Sequence, residues 1–586
     1  MAHPTRPIIM VRKGVVTSGH YLATAAGFKI LQMGGNAIDA AAAMCFCEVL
    51  LEPQNCGLGG EVPTLIYSAA DKKTYALSGM GWSPKAFTID WCHHNGIDLI
   101  PGDGYLPACV PSVLGSWALA LARFGTMSFS QVLQPVIDLA EDGFPIYGEL
   151  RNCISANAQK WEVEYPTTYA IYCPDHRVPE VGEIQHNLDL AKTFREIIAV
   201  EAKVFSKGRV AGLEAARDAF YQGKIADRIL DFITRKPVQD ASGTSHLGLL
   251  SLEDLSEWKA SIEEPVSINY RGLDVHKCSS WTQGPVFLQQ LTILEGYDLK
   301  AMGHNSIEYL HTWTECAKLA FSDREAYYGD PLLDSVPFEV LLSKEYAQER
   351  RALIGEFASL EMRPGSYNPE ASGWLLGDVL ADNQRELAGT HQGDTTHLDA
   401  VDGIGNMVSS TPSGGWIPSS PVIEGLGFPL GTRGQMFYLN PNRPNALASH
   451  KRPRATLTPT LVTKDGKPFM VFGTPGGDSQ DQWTLQFFLN FVDFGMDLQT
   501  ALDEPTVHSE HFPSSFYPRI SHPGRLVTEG RIPINVLAEL TCLGHEIVIS
   551  GDYAHGKVMG IHIDPEKRVI SGAVSAKGII GYAMGY

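Results

Sequence analysis

GDTTHLDAVDGIGNMVSS, Gly393 to Ser410, stands where an irregular segment ends and strand-like sequence begins. The pair Thr395-Thr396 says little on composition, because β-branched residues start strands everywhere. Chemistry gives it a second reading. A threonine hydroxyl is a weak nucleophile, but a free α-amine on the same residue can act as its base. That requires a chain cut immediately before Thr395, between it and Asp394.

On the N-terminal side of this stretch, Glu361 to Gln392 carries Pro, Gly, Ser and Asn without sustained periodicity and reads as an exposed linker leading into a boundary. On the C-terminal side come short strands with turn signals at Asp402-Gly403, Asp465-Gly466 and Asp564-Pro565, so the last third is expected to be sheet-rich. The start of the chain reads as a helix from about Tyr21 to Met33, a Gly34-Gly35-Asn36 break and an Ala-rich helix from about Ala37 to Leu51. Strands Thr64 to Ala69 and Thr74 to Gly79 follow, around a turn at Ala70 to Lys73. Ser128-x-x-Gln131, Ser251-x-x-Asp254 and Asn305-x-x-Glu308 look like helix starts in a helix-rich middle. No internal repeat or low-complexity tract interrupts the chain.

The 586 residues suffice for several cores, and 44% hydrophobic residues argue against disorder. Lys and Arg number 46 against 66 Asp and Glu, a net charge of −20 that repels phosphate backbones and anionic lipid, so neither nucleic acid nor a membrane is an expected partner. The longest apolar run, Ala40 to Cys47, stops at Glu48, far short of a bilayer span, and the first residues lack the apolar core of a secretory signal. A cytoplasmic location is the expectation. Ten cysteines are scattered without zinc spacing and are expected to be reduced and mostly buried; Cys45 and Cys47, two apart on a helix, point in different directions.

Dinucleotide, P-loop, HExxH and GxSxG signatures are absent. The Gly-rich run Cys56 to Glu61 could cradle phosphate only if Glu61 did not repel it, so tight backbone packing is the expected role. His93-His94 and the His508, His511 pair lack a third ligand at a recognisable spacing and are expected to be solvated or capping residues. No metal or cofactor is called for.

GDTTHLDAVDGIGN resembles the activation site of the γ-glutamyltransferase (glutathione hydrolase) family of N-terminal-nucleophile hydrolases. Further segments resemble that family in its order: Gly34 to Ala43, Glu52 to Glu61, Glu253 to Leu255, Tyr270 to Gly272, Ala320 to Pro331, Lys451 to Pro468, Gly473 to Gln480 and Val492 to His508. The resemblance covers nearly the whole chain. It implies an α+β fold, a four-layer αββα sandwich built from both halves of a self-cleaved precursor: a large, helix-rich chain 1–394 and a small, sheet-rich chain 395–586 that begins at the nucleophile. By the same resemblance, Thr395 attacks the Asp394 carbonyl, the Gly476-Gly477 amides form an oxyanion hole, and Ser413 contacts the new amine. Thr396 reads as support for the strand that follows.

Substrate recognition departs from the family. Its Arg-Glu-Thr-Ala-Pro segment, which grips the donor's α-carboxylate, reads Met80-Gly81-Trp82-Ser83-Pro84, and the acid that holds the donor amine is replaced by Met436. The family's Ser-Ser pair is Ala455-Thr456. Arg433 and Arg454 are the candidates to replace the lost guanidinium, and Trp82, Trp416 and Met436 would make a larger, less polar pocket if they line it. The implied enzyme is a γ-glutamyltransferase-like threonine amidohydrolase that passes an acyl group from a small-molecule amide, by the resemblance a γ-glutamyl or glutathione-type donor, to water or an amine. The alternatives are an amidase of the same family with a different acyl donor, as in its cephalosporin-acylase-like branch, and an unprocessed, non-catalytic binding protein.

Overall fold

The computed structural model describes residues 4–367 and 394–586, so most of the expected linker, residues 368–393, lies outside the described residues. The strands that matter are, in chain order, β1 (Ile9–Val11), β2 (Gly14–Ser18), β3 (Thr64–Ser68), β4 (Lys73–Ser78), β5 (Ser261–Glu263), β6 (Val266–Tyr270), β7 (Leu273–Lys277), β8 (Leu398–Asp402), β9 (Met407–Ser410), β10 (Thr460–Lys464), β11 (Lys467–Gly473), β12 (Val507–Ser509), β13 (Arg525–Glu529), β14 (Glu546–Ser550), β15 (Met559–Asp564), β16 (Val569–Val574) and β17 (Ala583–Gly585). The principal helices are α1 (Tyr21–Gln32), α2 (Ala37–Leu51), α3 (Val113–Phe124), α4 (Phe129–Asp142), α5 (Leu188–Val204), α6 (Arg209–Tyr221), α7 (Pro285–Leu294), α8 (Ile307–Tyr327), α9 (Gln480–Val492) and α10 (Leu498–Asp503).

Two seven-stranded sheets run β17-β2-β8-β9-β3-β4-β5 and β1-β16-β15-β11-β10-β7-β6. Every pairing within them is antiparallel. Successive side chains along a strand point to opposite faces, and here both faces are buried. Val15, Leu65, Val401 and Met407 from the first sheet meet Leu461, Val471, Ile561 and Ile570 from the second in one apolar layer. Their neighbours Val16, Ile66, Ala400 and Val408 face helices instead, as do Val462, Met470 and Phe472 on the other sheet. Helices α1 and α2 cover the first sheet, with α3 to α6 outside them, while α7, α9 and α10 cover the second. The architecture is αββα.

Helix α2 is buried at every position, which is what an all-round apolar sequence demands. It starts at Asn36, whose side chain accepts from the amides of Ile38 and Asp39 while the Asp39 carboxylate accepts from the Asn36 amide. The expected capping boxes at Ser128 and Ser251 are present. At the third expected start, Asn305 adopts a left-handed φ of 52° and Ser306 becomes the cap. Asp465-Gly466 joins β10 to β11 with both φ values positive, 51° and 71°, the conformation that a two-residue hairpin of this sequence favours.

Each large sheet takes strands from both sides of Thr395. Eight cysteines are buried, Cys153 is half-buried and Cys542 is exposed. Among the described residues no helix is long and apolar enough to cross a membrane.

Candidate active site

Thr395 lies just ahead of β8, buried, in an isolated antiparallel bridge to Ser413, and Ser413 in turn bridges Glu61. Backbone amides of Glu61 and Ser413 donate to each other's carbonyls at 2.9 Å. This close approach explains the glycines before Glu61: a Cβ on Gly60 would sit 2.1 Å from the Ser413 carbonyl oxygen, and one on Gly59 would sit 2.0 Å from that of Pro429. The Gly-rich run therefore packs backbone on backbone, as expected, and delivers the Glu61 side chain inward.

Side chains converge on the Asp394–Thr395 peptide. The Thr395 and Ser413 hydroxyls are 3.1 Å apart. Ser413 donates to the Asp394 carbonyl oxygen at 3.0 Å, and the Trp416 indole Nε1–H donates to the same oxygen at 2.8 Å while sharing its proton with the Asn55 carbonyl, also at 2.8 Å. Arg433 Nη2 donates to Ser413 Oγ at 2.7 Å, and its Nε donates to Glu61 Oε1 at 2.5 Å. The Arg433 guanidinium also lies 4.8 Å over the Trp416 ring. Burial raises the Glu61 carboxyl above its ordinary pKa, with the Arg433 charge opposing.

The residues after Thr395 are held as tightly. Thr396 Oγ1 donates to Glu52 Oε2 at 2.7 Å, beside Glu48 one helical turn away. Burial pushes Glu52 up to about 7 and raises Glu48 as well. The His397 ring is buried between Thr411 Oγ1 and Asp399 Oδ1, each at 3.0 Å.

Gly476 and Gly477 turn the chain from β11 toward α9 with φ of 127° and 53°. Among the described residues neither amide donates to a protein acceptor. Asp478 anchors this turn, accepting from Arg324 and from the Ser515 amide and hydroxyl at 2.8 and 2.6 Å. Asp394, Gly476 and Gly477 line one cavity of about 710 Å³, whose walls include Trp483, Phe512, Phe516, Tyr517, His508, His522 and His555. Burial pushes His555 down to about 4 and lowers His522 too, so both imidazoles are neutral near pH 7.

The expected substrate residues lie elsewhere. None of Arg433, Met436, Ala455, Thr456, Met80 or Trp82 lines this cavity. Met80, Met436, Ala455 and Trp416 belong to the apolar layer between the sheets. Arg433 is paired with Glu61, whereas Arg454 shares the one carboxylate of Glu325 with Arg324 and Arg443, and its buried Nε has no hydrogen-bond partner among the described residues. Thr456 Oγ1 is buried without a hydrogen-bond partner among the described residues. Trp82 stacks on His450 with ring centroids 4.4 Å apart. His508 and His511 are buried and so not solvated, but His511 does cap backbone, its Nδ1 accepting from the Gly524 amide at 3.0 Å and its Nε2 lying 3.1 Å from the Glu361 carbonyl oxygen. Among the described residues no group of three or more His, Cys, Asp or Glu side chains could hold a metal ion.

Sequence reasoning missed Glu61 as the partner of Arg433 and missed the cavity wall between His508 and His555. Glu61 gave one usable signal: an acid directly after a Gly-rich run has a backbone close against its neighbours and a charge that needs a buried cation.

Comparison with known proteins agrees with this fold. The family model described as Gamma-glutamyltranspeptidase matches residues 23–579. The chain is 31% identical to a glutathione hydrolase-like YwrD proenzyme from Bacillus subtilis (strain 168), over 96% of each. A solved structure of LmbA2991 superposes with a TM-score of 0.94 at 40% identity over 100% of both chains. A cephalosporin acylase from Bacillus halodurans superposes with a TM-score of 0.84 at 29% identity, over 100% of this chain and 98% of that one.

Proposed function

This chain belongs to the gamma-glutamyltranspeptidase family, and from that premise we propose that it is a self-processing amidohydrolase whose nucleophile is Thr395. Scission of the Asp394–Thr395 bond frees the Thr395 amine and leaves two paired chains, 1–394 and 395–586. An α-amine has a pKa of roughly 7.7–8.0, so near neutral pH a useful fraction can take the hydroxyl proton. Thr395 Oγ1 then attacks a substrate amide, the Gly476 and Gly477 amides receive the oxyanion, and the acyl-enzyme is released to water or to an amine.

One observation carries this reading. A single hydroxyl, that of Ser413, lies within hydrogen-bond range of both the Thr395 hydroxyl and the Asp394 carbonyl oxygen. Denaturing electrophoresis tests it: wild type is expected as bands of about 43 and 21 kDa, the 64.0 kDa divided in proportion to 394 and 192 residues. The smaller chain should begin at Thr395, and Thr395→Ala should stay full length. A full-length band for active wild type refutes the proposal.

The acyl donor is proposed to be other than γ-glutamyl. What supports this is the pairing of Arg433 with Glu61 and the apolar layer that holds Met80, Met436 and Ala455. A bidentate Arg–carboxylate contact is worth about 1.5–3 kcal/mol, and its loss falls on a γ-glutamyl donor alone. Hydrolysis of a γ-glutamyl anilide beside simple and aromatic acyl anilides decides; preference for the γ-glutamyl compound overturns this part.

A further inference from the structure

Self-cleavage builds negative charge on the Asp394 carbonyl oxygen, which is a different atom from the substrate oxygen received later by Gly476 and Gly477. Two donors already address it at 2.8 and 3.0 Å, the Trp416 indole N–H and the Ser413 hydroxyl. Donors at this distance from an oxygen where charge develops are what stabilises a tetrahedral intermediate.

We propose that Trp416 and Ser413 form the oxyanion site of the self-cleavage step, separate from the glycine amides of turnover; this rests on the self-processing reading above. One cation stands behind both donors. The Arg433 guanidinium donates to Ser413 Oγ and lies over the Trp416 ring, so its charge favours negative charge at the oxygen both donors share. With the Ser413 proton on the Asp394 oxygen, Ser413 Oγ is left to accept from Thr395 Oγ1–H and from Arg433. Attack then proceeds without an external base. A bond forms from Thr395 Oγ1 to the Asp394 carbonyl carbon, and the C=O π electrons move to oxygen. The Ser413 proton follows them, and the Thr395 hydroxyl proton replaces it on Ser413. Collapse breaks the C–N bond, with the proton passing back to the departing Thr395 nitrogen. Water hydrolyses the resulting ester to the Asp394 carboxyl group and the free Thr395 hydroxyl.

Trp416 suits a single-use role. Its N–H is shared with the Asn55 carbonyl, so when the new chain end leaves, the indole keeps a buried partner and no donor is orphaned.

The test replaces Trp416 in the full chain with β-(3-benzothienyl)alanine, which keeps the ring shape and puts sulfur in place of N–H, and with Phe (Trp416→Phe). Conversion of newly synthesised full-length chain to the two products is timed on denaturing gels, and the melting temperature of the uncleaved chain is measured. The expected result is a half-time at least tenfold longer for both variants at temperatures well below melting, with the benzothienyl chain melting slightly below wild type because the Asn55 carbonyl loses its donor. Cleavage of the benzothienyl chain at the wild-type rate overturns the proposal, and so does slowing that disappears when the chains are compared at the same interval below their melting temperatures. If wild type itself is not cut before Thr395, the self-processing reading fails instead, which is a distinguishable outcome.

Discussion

Arg433 is a fully buried cation whose worth depends on Glu61. Removing one partner of a buried pair leaves an uncompensated charge and costs about 3–5 kcal/mol. Glu61→Gln is therefore expected to lower stability by about that much in urea unfolding and to slow self-cleavage, since Arg433 would no longer be fixed against Ser413. Wild-type stability in this variant would mean that Arg433 finds another counter-charge. Glu52 makes a prediction about pH. Burial raises its pKa to about 7 from the ordinary 4.5, so the folded state favours the protonated carboxyl. Its contribution is complete below about pH 4.5 and is lost as pH rises toward 7. Glu52→Gln, which keeps the neutral form, should gain melting temperature over wild type progressively from about pH 4.5 to about pH 7 and level off above that; a difference independent of pH would show that the carboxyl is ionised throughout. At this scale the proposed nucleophile rests on the resemblance of Gly393 to Asn406 to the family's activation site, since a threonine pair after an irregular stretch says little by itself. The Glu61–Arg433 pair was not legible in the sequence: 372 residues separate them, and only backbone packing at Gly59 and Gly60 brings them together.

The elements divide the same way between local and distant causes. Helix α2, its Asn36 cap and the Asp465-Gly466 hairpin follow from residues within a few positions of one another, and the sequence placed them within a residue or two. The Gly476-Gly477 turn was legible as a turn, but its function depends on what surrounds it: Trp483 from α9, Phe516 from a distant loop, and Asp478 tied to Arg324 and Ser515. For the same reason Met80, Trp82, Arg433, Met436, Ala455 and Thr456 lie outside the cavity that Gly476 and Gly477 line. Motif positions locate residues along the chain, while the cavity wall comes from the 508–555 region, whose histidines carry no spacing signal. Gly477→Ala tests the turn. Its φ of 53° is left-handed, and the added Cβ would lie 3.0 Å from the Phe516 ring. A non-glycine residue there costs about 1–2 kcal/mol, which a protein of this size survives. Self-cleavage should still yield two bands, because its oxygen is addressed by Ser413 and Trp416, while kcat on an acyl anilide falls about 10²-fold through a displaced oxyanion donor. Unchanged kcat would remove the glycine pair from the reaction.

At the scale of the whole molecule, the proposed cut before Thr395 falls between segments that are already woven together. Strand β8, which begins three residues after the cut, pairs with β2 from Leu398↔Ser18 to Asp402↔Gly14, and β9 pairs with β3. In the other sheet β1 pairs with β16 and β7 with β10, and β17 closes the first sheet against β2. All five ladders join residues before Asp394 to residues after it, and the apolar layer between the sheets draws side chains from both segments. Scission removes one covalent bond and none of these pairings. A contact that includes the central core resembles an obligate interface, well beyond the roughly 1,600 Å² of ordinary complexes. The processed protein is therefore expected to elute as one species and to weigh close to 64.0 kDa by native mass spectrometry, even at nanomolar dilution, while a denaturing gel resolves the two chains. The chains should part only where helical circular dichroism is lost, in one transition with denaturant, because neither segment keeps a complete sheet alone. Separation with the helix signal intact would mean that one segment folds independently, and the interleaved sheets would then not be what holds the enzyme together.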